Sequence, residues 1–338
     1  MDNVLNWQEN SEISNAQSFF EKISILPNMP PMNSLLNSVM LGYDEQHLSS
    51  QGLGYRNLIL LLVMINSLLN YSETFYSLLV IEEPEAHISH SNHQILKSYL
   101  TSVSKSKESV QILYSTHDVN FINKLNLNSL VLFYDGRAIS LKEELNKGEK
   151  DYLSRNPNLD LFKLFYSTKC ILVEGITEEI FLKTYLHNLE NTINDIEVIS
   201  FHKGFTNIID IWLKLYEGSD NKLGIVRDFD DEPNARDNHH KYNGYKNICV
   251  DTTSYYTLED EIVNTDDNFN LLNTYFQNEF KWDKFDTAEE LSEFWKKQKA
   301  DTMIEFTRDL NTDKLKGFAL PRHIETVLEF MDIDVNGG

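Results

Sequence analysis

The chain has 338 residues, enough for two domains with separate cores. Its 41% hydrophobic and 24% charged residues exclude a collagen-like, repetitive or wholly disordered class. With 52 acidic against 30 basic residues the formal net charge is −22, which argues against a protein that grips nucleic acid through a broad basic surface.

The acid is uneven. Residues 166–338 carry 34 Asp+Glu against 18 Lys+Arg, either a solvated surface or a surface that includes a cation-binding cluster. The longest apolar run, residues 58–69, is too short to span a bilayer, and the first residues, MDNVLNWQENSEIS, have no secretory signal. Cys170 and Cys249, both inside apolar strand-like runs, read as buried reduced thiols, so a cytoplasmic protein with no membrane partner is expected.

In chain order, LSSQGLGYRNLILLL (residues 48–62) is a polar, glycine-containing turn feeding an apolar helix. It includes Ser50 and aims backbone N–H groups at an anion. Next comes SLLVIEEPEAHISHSNHQILKSYL (77–100). Its apolar run 78–81 predicts a buried parallel strand ending on Glu82 and Glu83, stopped by Pro84 and followed by a helix from about Ser89. A second strand in QILYSTHDVNFINKL (111–125) ends at Ser115, Thr116 and His117. In nucleotide hydrolases the first acid at such a strand end holds the magnesium water shell, the second polarises water and a histidine contacts the γ-phosphate. These posts fall to Glu82, Glu83 and His117. His87, His90 and His93 read as surface residues and not as a zinc set, because a spacing of three drifts around a helix and no fourth ligand is evident. The polar stretch Asn238-His239-His240 reads as a loop.

The three segments, in this order and spacing, resemble the signature loop, Walker B segment and switch histidine of ABC-type ATPases related to RecF and SMC proteins. No glycine is followed by lysine, so residues 1–338 hold no GxxxxGK[ST] phosphate loop. ATP binding is therefore expected only with a Walker A supplied by another lobe or chain.

The second half opens with YSTKCILVEGITEEIFLKTYL (166–186). Residues 170–173 form a buried-strand run ending on Glu174. Gly175 permits a tight turn, and Thr177 is a plausible N-cap for a helix from Glu178 to about His187. The four-residue spacing brings Glu178 beside Glu174, a costly arrangement unless a cation lies between them. A strand at 196–200 and a helix at about 207–216 follow. The strand in KLGIVRDFDDE then ends on Asp228, Phe229 and Asp230, where i,i+2 alternation converges the two aspartates and turns Phe229 inward. Arg227 stands beside this strand end. In a βαβ sheet the carboxyl ends line one crevice, and hard oxygen donors there suit Mg2+ or Mn2+.

This half resembles the Toprim domain of topoisomerases, DnaG-type primases and small nucleases through EGxTE and DxD. The resemblance implies a further acidic ligand after a strand at 247–250, Glu259 with Glu261 as the alternative. It also implies a lysine that offsets transition-state charge, Lys316 in preference to Lys314. An ABC-type segment followed by a Toprim domain is similar to the OLD-family nucleases, which include the Gabija nuclease subunit and retron-associated OLD effectors.

The fold class expected is α/β: a partial ABC-ATPase-like lobe (1–155), then a Toprim domain with a Rossmann-like parallel sheet and C-terminal helices (156–338). The implied activity is DNA endonucleolysis in antiviral defence with two metal ions about 4 Å apart. Glu174, Glu178 and Asp228 would hold the first ion, Asp230 and Glu259 the second. A topoisomerase- or primase-type Toprim enzyme and a non-catalytic scaffold are the alternatives. Expected partners are DNA, a second copy of the chain through the ATPase-like lobe, and a defence-system protein or nucleic acid.

Overall fold

The computed structural model describes residues 23–27, 39–71, 76–106, 109–122, 124–156, 160–189, 195–201, 204–229, 233–310 and 312–335. The chain divides into two compact units, Met1–Lys124 and Leu125–Gly338.

The first unit begins with an antiparallel sheet of β1 (Ile23–Pro27), β2 (Val39–Tyr43) and β3 (Gln46–His47). Helix α1 (Leu53–Tyr71) follows, and its buried stripe Leu58, Ile59, Leu62 and Ile65 recurs at helical spacing. That stripe meets Leu79 and Ile81 of β4 (Ser77–Glu82) and Leu96, Leu100 and Val103 of α2 (His90–Ser106) in one core. Strand β4 pairs in parallel with β5 (Val110–Ser115), which sets Glu82 beside Ser115 at the carboxyl ends. The expectation of a fully buried β4 is corrected. Leu79 and Ile81 are inside, but Leu78 and Val80 are 55% and 64% exposed. Side chains alternate across a strand, and the core described for this unit engages one face of the β4–β5 pair.

The second unit starts earlier than the boundary expected near residue 155. The hairpin β6 (Val131–Tyr134) and β7 (Arg137–Ser140), joined by an Asp135-Gly136 turn, is tied to it: the Tyr134 hydroxyl donates to Leu215 O at 2.7 Å. Helix α3 (Leu141–Glu144) leads to α4 (Lys147–Arg155), whose Glu149 pairs with Lys214 and whose Tyr152 hydroxyl donates to Gly204 O at 3.4 Å.

Four parallel strands form the sheet: β8 (Lys169–Val173), β9 (Ile196–Ser200), β10 (Lys222–Arg227) and β11 (Ile248–Thr252), in the order β11-β10-β8-β9. Helices α5 (Ile176–Asn188), α6 (Phe205–Tyr216) and α7 (Pro233–His240) fall between the strands, so the expected α/β alternation with a parallel sheet is present. After β11 come α8 (Leu258–Asn264), α9 (Asn268–Phe280), α10 (Ala288–Asp309) and α11 (Arg322–Phe330). Their aromatic side chains, Phe276, Trp295 and Phe306 among them, share one core with Val173, Phe181 and Val226. No helix among the described residues is long and apolar enough to cross a membrane.

Candidate functional site

The carboxyl end of β8 carries the first group of expected residues. Helix α5 begins at Ile176 with Gly175 as its N-cap, two residues before the cap expected at Thr177. The Glu178 carboxylate decides this: its Oε2 accepts from Gly175 N at 2.9 Å, satisfying a backbone donor at the helix start. The expected reason for Gly175 is also corrected. Its backbone is extended, which any residue adopts, and an added Cβ would meet only the movable end of the Glu178 side chain, 2.8 Å from Oε2.

Glu178 is only 6% exposed, and its pKa is raised to about 7. Burial is the main cause, and the negative charges of Glu259 and Glu174 add to it. Its neighbour Glu179 turns away, pairing with Lys183 and accepting from Ser200 N at 3.2 Å.

At the end of β10, the Arg227 Nε donates to Glu174 Oε2 at 3.2 Å. Arg227 Nη1 also lies 2.9 Å from His239 Nδ1, and the guanidinium sits 5.1 Å from the centre of the Phe205 ring. A guanidinium only donates, so Nδ1 of His239 accepts and its Nε2, 3.4 Å from Thr206 Oγ1, carries the proton. Arg227 is packed and paired, and His239 is buried on helix α7 where a polar loop was expected.

Asp228 is half-buried just past the strand end. Phe229, expected in the core, is also half-buried, and its N–H donates to Thr253 Oγ1 at 2.8 Å. Asp230 lies outside the described residues.

Beyond β11, Thr257 caps α8 in a reciprocal arrangement with Asp260, which also pairs with Lys296 at 3.1 Å. This leaves the two candidate glutamates with different tasks. Glu261 Oε2 accepts from Ser254 N at 2.7 Å and Tyr255 N at 2.9 Å, so it braces the loop. Glu259 is buried, and burial followed by the charge of Asp260 pushes its pKa up. Glu259 thus joins Glu178 and Glu174 in one electrostatic neighbourhood, formed where strands β8 and β11 deliver their following turns. The two lysines separate as well. Lys314 is engaged by Glu279 at 2.7 Å and Asp309 at 3.0 Å, whereas Lys316 is exposed.

In the first unit, Glu82 ends β4 exposed, and the Ser50 hydroxyl donates to His47 O at 2.7 Å. His117 Nδ1 lies 2.7 Å from Glu83 Oε2. Burial alone would raise the Glu83 carboxyl, but the bond to His117 holds it low, and the same bond raises His117. Glu85, not singled out from the sequence, completes this group: one ligand atom each from Glu83, Glu85 and His117 lie within 4.8 Å of one another. That is the one such group of three among the described residues, so the described acids of the second unit do not converge as tightly. His87 is exposed as expected of a surface histidine, whereas His93 is half-buried and held between Asp118 at 3.3 Å and Glu85 O at 3.3 Å.

Residues 1–122 match the family model of the AAA ATPase domain AAA_15. The chain is also similar to Endonuclease GajA of Bacillus cereus (strain HuB5-5), at 26% identity over 290 residues, covering 75% of this chain and 41% of the relative. This likeness supports the expected resemblance to the Gabija nuclease subunit. Residues 1–122 are little more than a third of the chain, so a match to 75% of it extends well into the second unit. The chain spans about two fifths of that relative's length. A solved structure from work on ATP-driven dimerization and DNA-stimulated activation of SMC ATPases is matched with a TM-score of 0.27 and 13% identity, over 42% of this chain and 89% of that one.

Proposed function

We propose that the second unit is a Toprim-type DNA endonuclease centre that works with Mg2+ or Mn2+. The observation that carries the reading is Glu178: a buried carboxyl at the carboxyl edge of a parallel sheet, held up to about 7 by burial and by the charges of Glu259 and Glu174. Acids gathered in this way are costly unless protons or cations share them, and an all-oxygen donor set suits hard divalent ions. Kinship with an endonuclease over a stretch that reaches into this unit supports the same reading.

Glu174, Glu178 and Asp228 would hold one ion, and Asp230 and Glu259 a second. Ions bound there would supply activated water and neutralise the phosphate in phosphodiester hydrolysis. The residues of the chain do the rest. Arg227 holds Glu174 in place, Glu261 braces the loop before the helix that carries Glu259, Thr253 fixes the loop that carries Asp228, and Lys316 would offset charge on the scissile phosphate. ATP would be bound by the first unit, through Ser50, Glu82, Glu83 and His117, only together with a phosphate loop from another lobe or chain. DNA is the proposed substrate, antiviral defence the setting, and a second copy of the chain the partner of the ATPase-like unit.

Plasmid cleavage by the purified chain with Mg2+ or Mn2+, compared with Asp228→Ala and Glu174→Ala, tests the reading. Metal-dependent nicking abolished by both substitutions is the expected result. Cleavage that survives both would move the activity elsewhere, and no cleavage by folded chain would remove a self-sufficient nuclease.

A further inference from the structure

We propose that Tyr255 and Tyr256 form a stacking platform for unpaired DNA bases beside the carboxylates of the second unit, so that the substrate is single-stranded or locally opened DNA. The inference rests on the nuclease reading for the presence of DNA and goes beyond it in naming which DNA.

The two tyrosines lie in the turn between β11 and α8, and this turn meets the carboxylate site at both ends. At its start the Thr253 hydroxyl accepts from Phe229 N at 2.8 Å, one residue past Asp228. At its end Thr257 caps the helix that carries Glu259. Tyr255 and Tyr256 therefore stand on the short stretch that joins the exit of β10 to the glutamates of α8.

The turn is fixed through its backbone and not through its rings. Glu261 Oε2 accepts from Ser254 N at 2.7 Å and Tyr255 N at 2.9 Å, and the Thr253 hydroxyl donates to Tyr255 O at 2.7 Å. Asp260 Oδ2 accepts from Thr257 N at 3.1 Å. Thr253, Asp260 and Glu261 are all buried, whereas Tyr255 and Tyr256 are 47% and 53% exposed. A lone exposed aromatic side chain is ordinary. Two in succession on a braced backbone, beside a cluster of acids, present large rigid rings that the fold itself does not use. Lys296 Nζ lies 5.9 Å from the centre of the Tyr256 ring and pairs with Asp260, so it borders the platform without covering it.

Charge selects the mode of contact. Residues 166–338 carry 34 Asp+Glu against 18 Lys+Arg, so attraction to phosphates is a weak source of affinity here. Stacking of a base on an aromatic ring needs no net positive charge and tolerates any sequence. In a duplex the base faces are already stacked on their neighbours, so the tyrosines can engage only bases that are unpaired or splayed out.

The test is an anisotropy titration, in Mg2+, of a labelled single-stranded oligothymidylate and of a duplex of the same length. It uses the full chain carrying Asp228→Asn, which removes cleavage from the readout. Tighter binding of the single strand is expected. Tyr255→Ala together with Tyr256→Ala should weaken that binding by roughly tenfold or more. The paired Phe substitutions, which keep the rings, should retain it, and Phe133→Ala, at a ring 80% exposed elsewhere, should leave it unchanged. Both tyrosines are exposed, so their replacement does not threaten folding. No binding of the single strand, binding unaltered by the paired Ala substitutions, an equal loss with Phe133→Ala, or a preference for the duplex would each overturn the platform. A parent chain that cuts DNA yet gives one of these results loses the platform alone. Binding as expected, with no cutting by the parent chain, would keep the platform and remove the nuclease centre.

Discussion

Arg227 and Glu174 stand at the ends of adjacent parallel strands, where Val226 is in register with Val173, and the guanidinium Nε lies 3.2 Å from the carboxylate Oε2. Their side chains are 13% and 22% exposed, between a surface pair worth under about 1 kcal/mol and a buried one that costs about 3–5 kcal/mol to break. Arg227→Gln should therefore destabilise the metal-free chain by about 1–3 kcal/mol in chemical denaturation. If Glu174 ligates a divalent ion, Mn2+ should shrink that loss by replacing the missing positive charge. An identical loss with and without Mn2+ would remove Glu174 from the proposed ligand set.

Glu178 makes a pH-dependent contribution of unusual sign. Its folded pKa is raised from 4.5 to about 7, so the folded chain holds the proton more tightly than the unfolded chain. The favourable term is fully present below pH 4.5, is lost as pH rises through about 7, and leaves a constant penalty above that. At about 1.4 kcal/mol per pKa unit the penalty is up to about 3.5 kcal/mol. Glu178→Gln, which keeps an acceptor for Gly175 N, should be more stable than the parent at pH 8 in chelator and no more stable at pH 4. Denaturation midpoints at the two pH values check this, and a constant difference would mean that Glu178 does not titrate in this range.

Glu259 and Glu261 lie two residues apart on the same helix, yet their substitutions should separate. Glu261→Gln weakens two charge-assisted bonds to Ser254 and Tyr255, costing about 1–3 kcal/mol and loosening the loop. Glu259→Gln relieves a buried charge, so it should keep or raise stability while abolishing metal-dependent cleavage. Thermal melts paired with cleavage assays distinguish the two, and the reverse pattern would exchange their proposed roles.

Gly54→Ala should destabilise the first unit by about 1–3 kcal/mol or more, because the added methyl meets the backbone carbonyl of His87 and not a flexible side chain. A chain with unchanged stability would show that the loop yields.

The segment order was legible in the sequence because apolar runs ending on acids or glycine mark parallel strands meeting helix starts. The runs expected to end on Glu82, on Glu174 and on Asp228 to Asp230 all became strands of parallel sheets, the last stopping at Arg227. The Asp135-Gly136 hairpin was missed although its turn dipeptide is a short-range signal. The α5 start was misplaced because a glutamate carboxylate, not a hydroxyl, caps it.

Other choices lay beyond the chain order. Glu259 differs from Glu261 only by which one finds backbone donors, and Lys316 differs from Lys314 only by which one finds acids. Arg227 becomes a partner of Glu174 because β10 pairs with β8, and Glu85 joins His117 because β4 pairs with β5. Periodicity and punctuation are local properties that a sequence carries residue by residue. Which buried charge meets which partner depends on strand order and helix packing, contacts between residues far apart in the chain, and only the tertiary structure decides them.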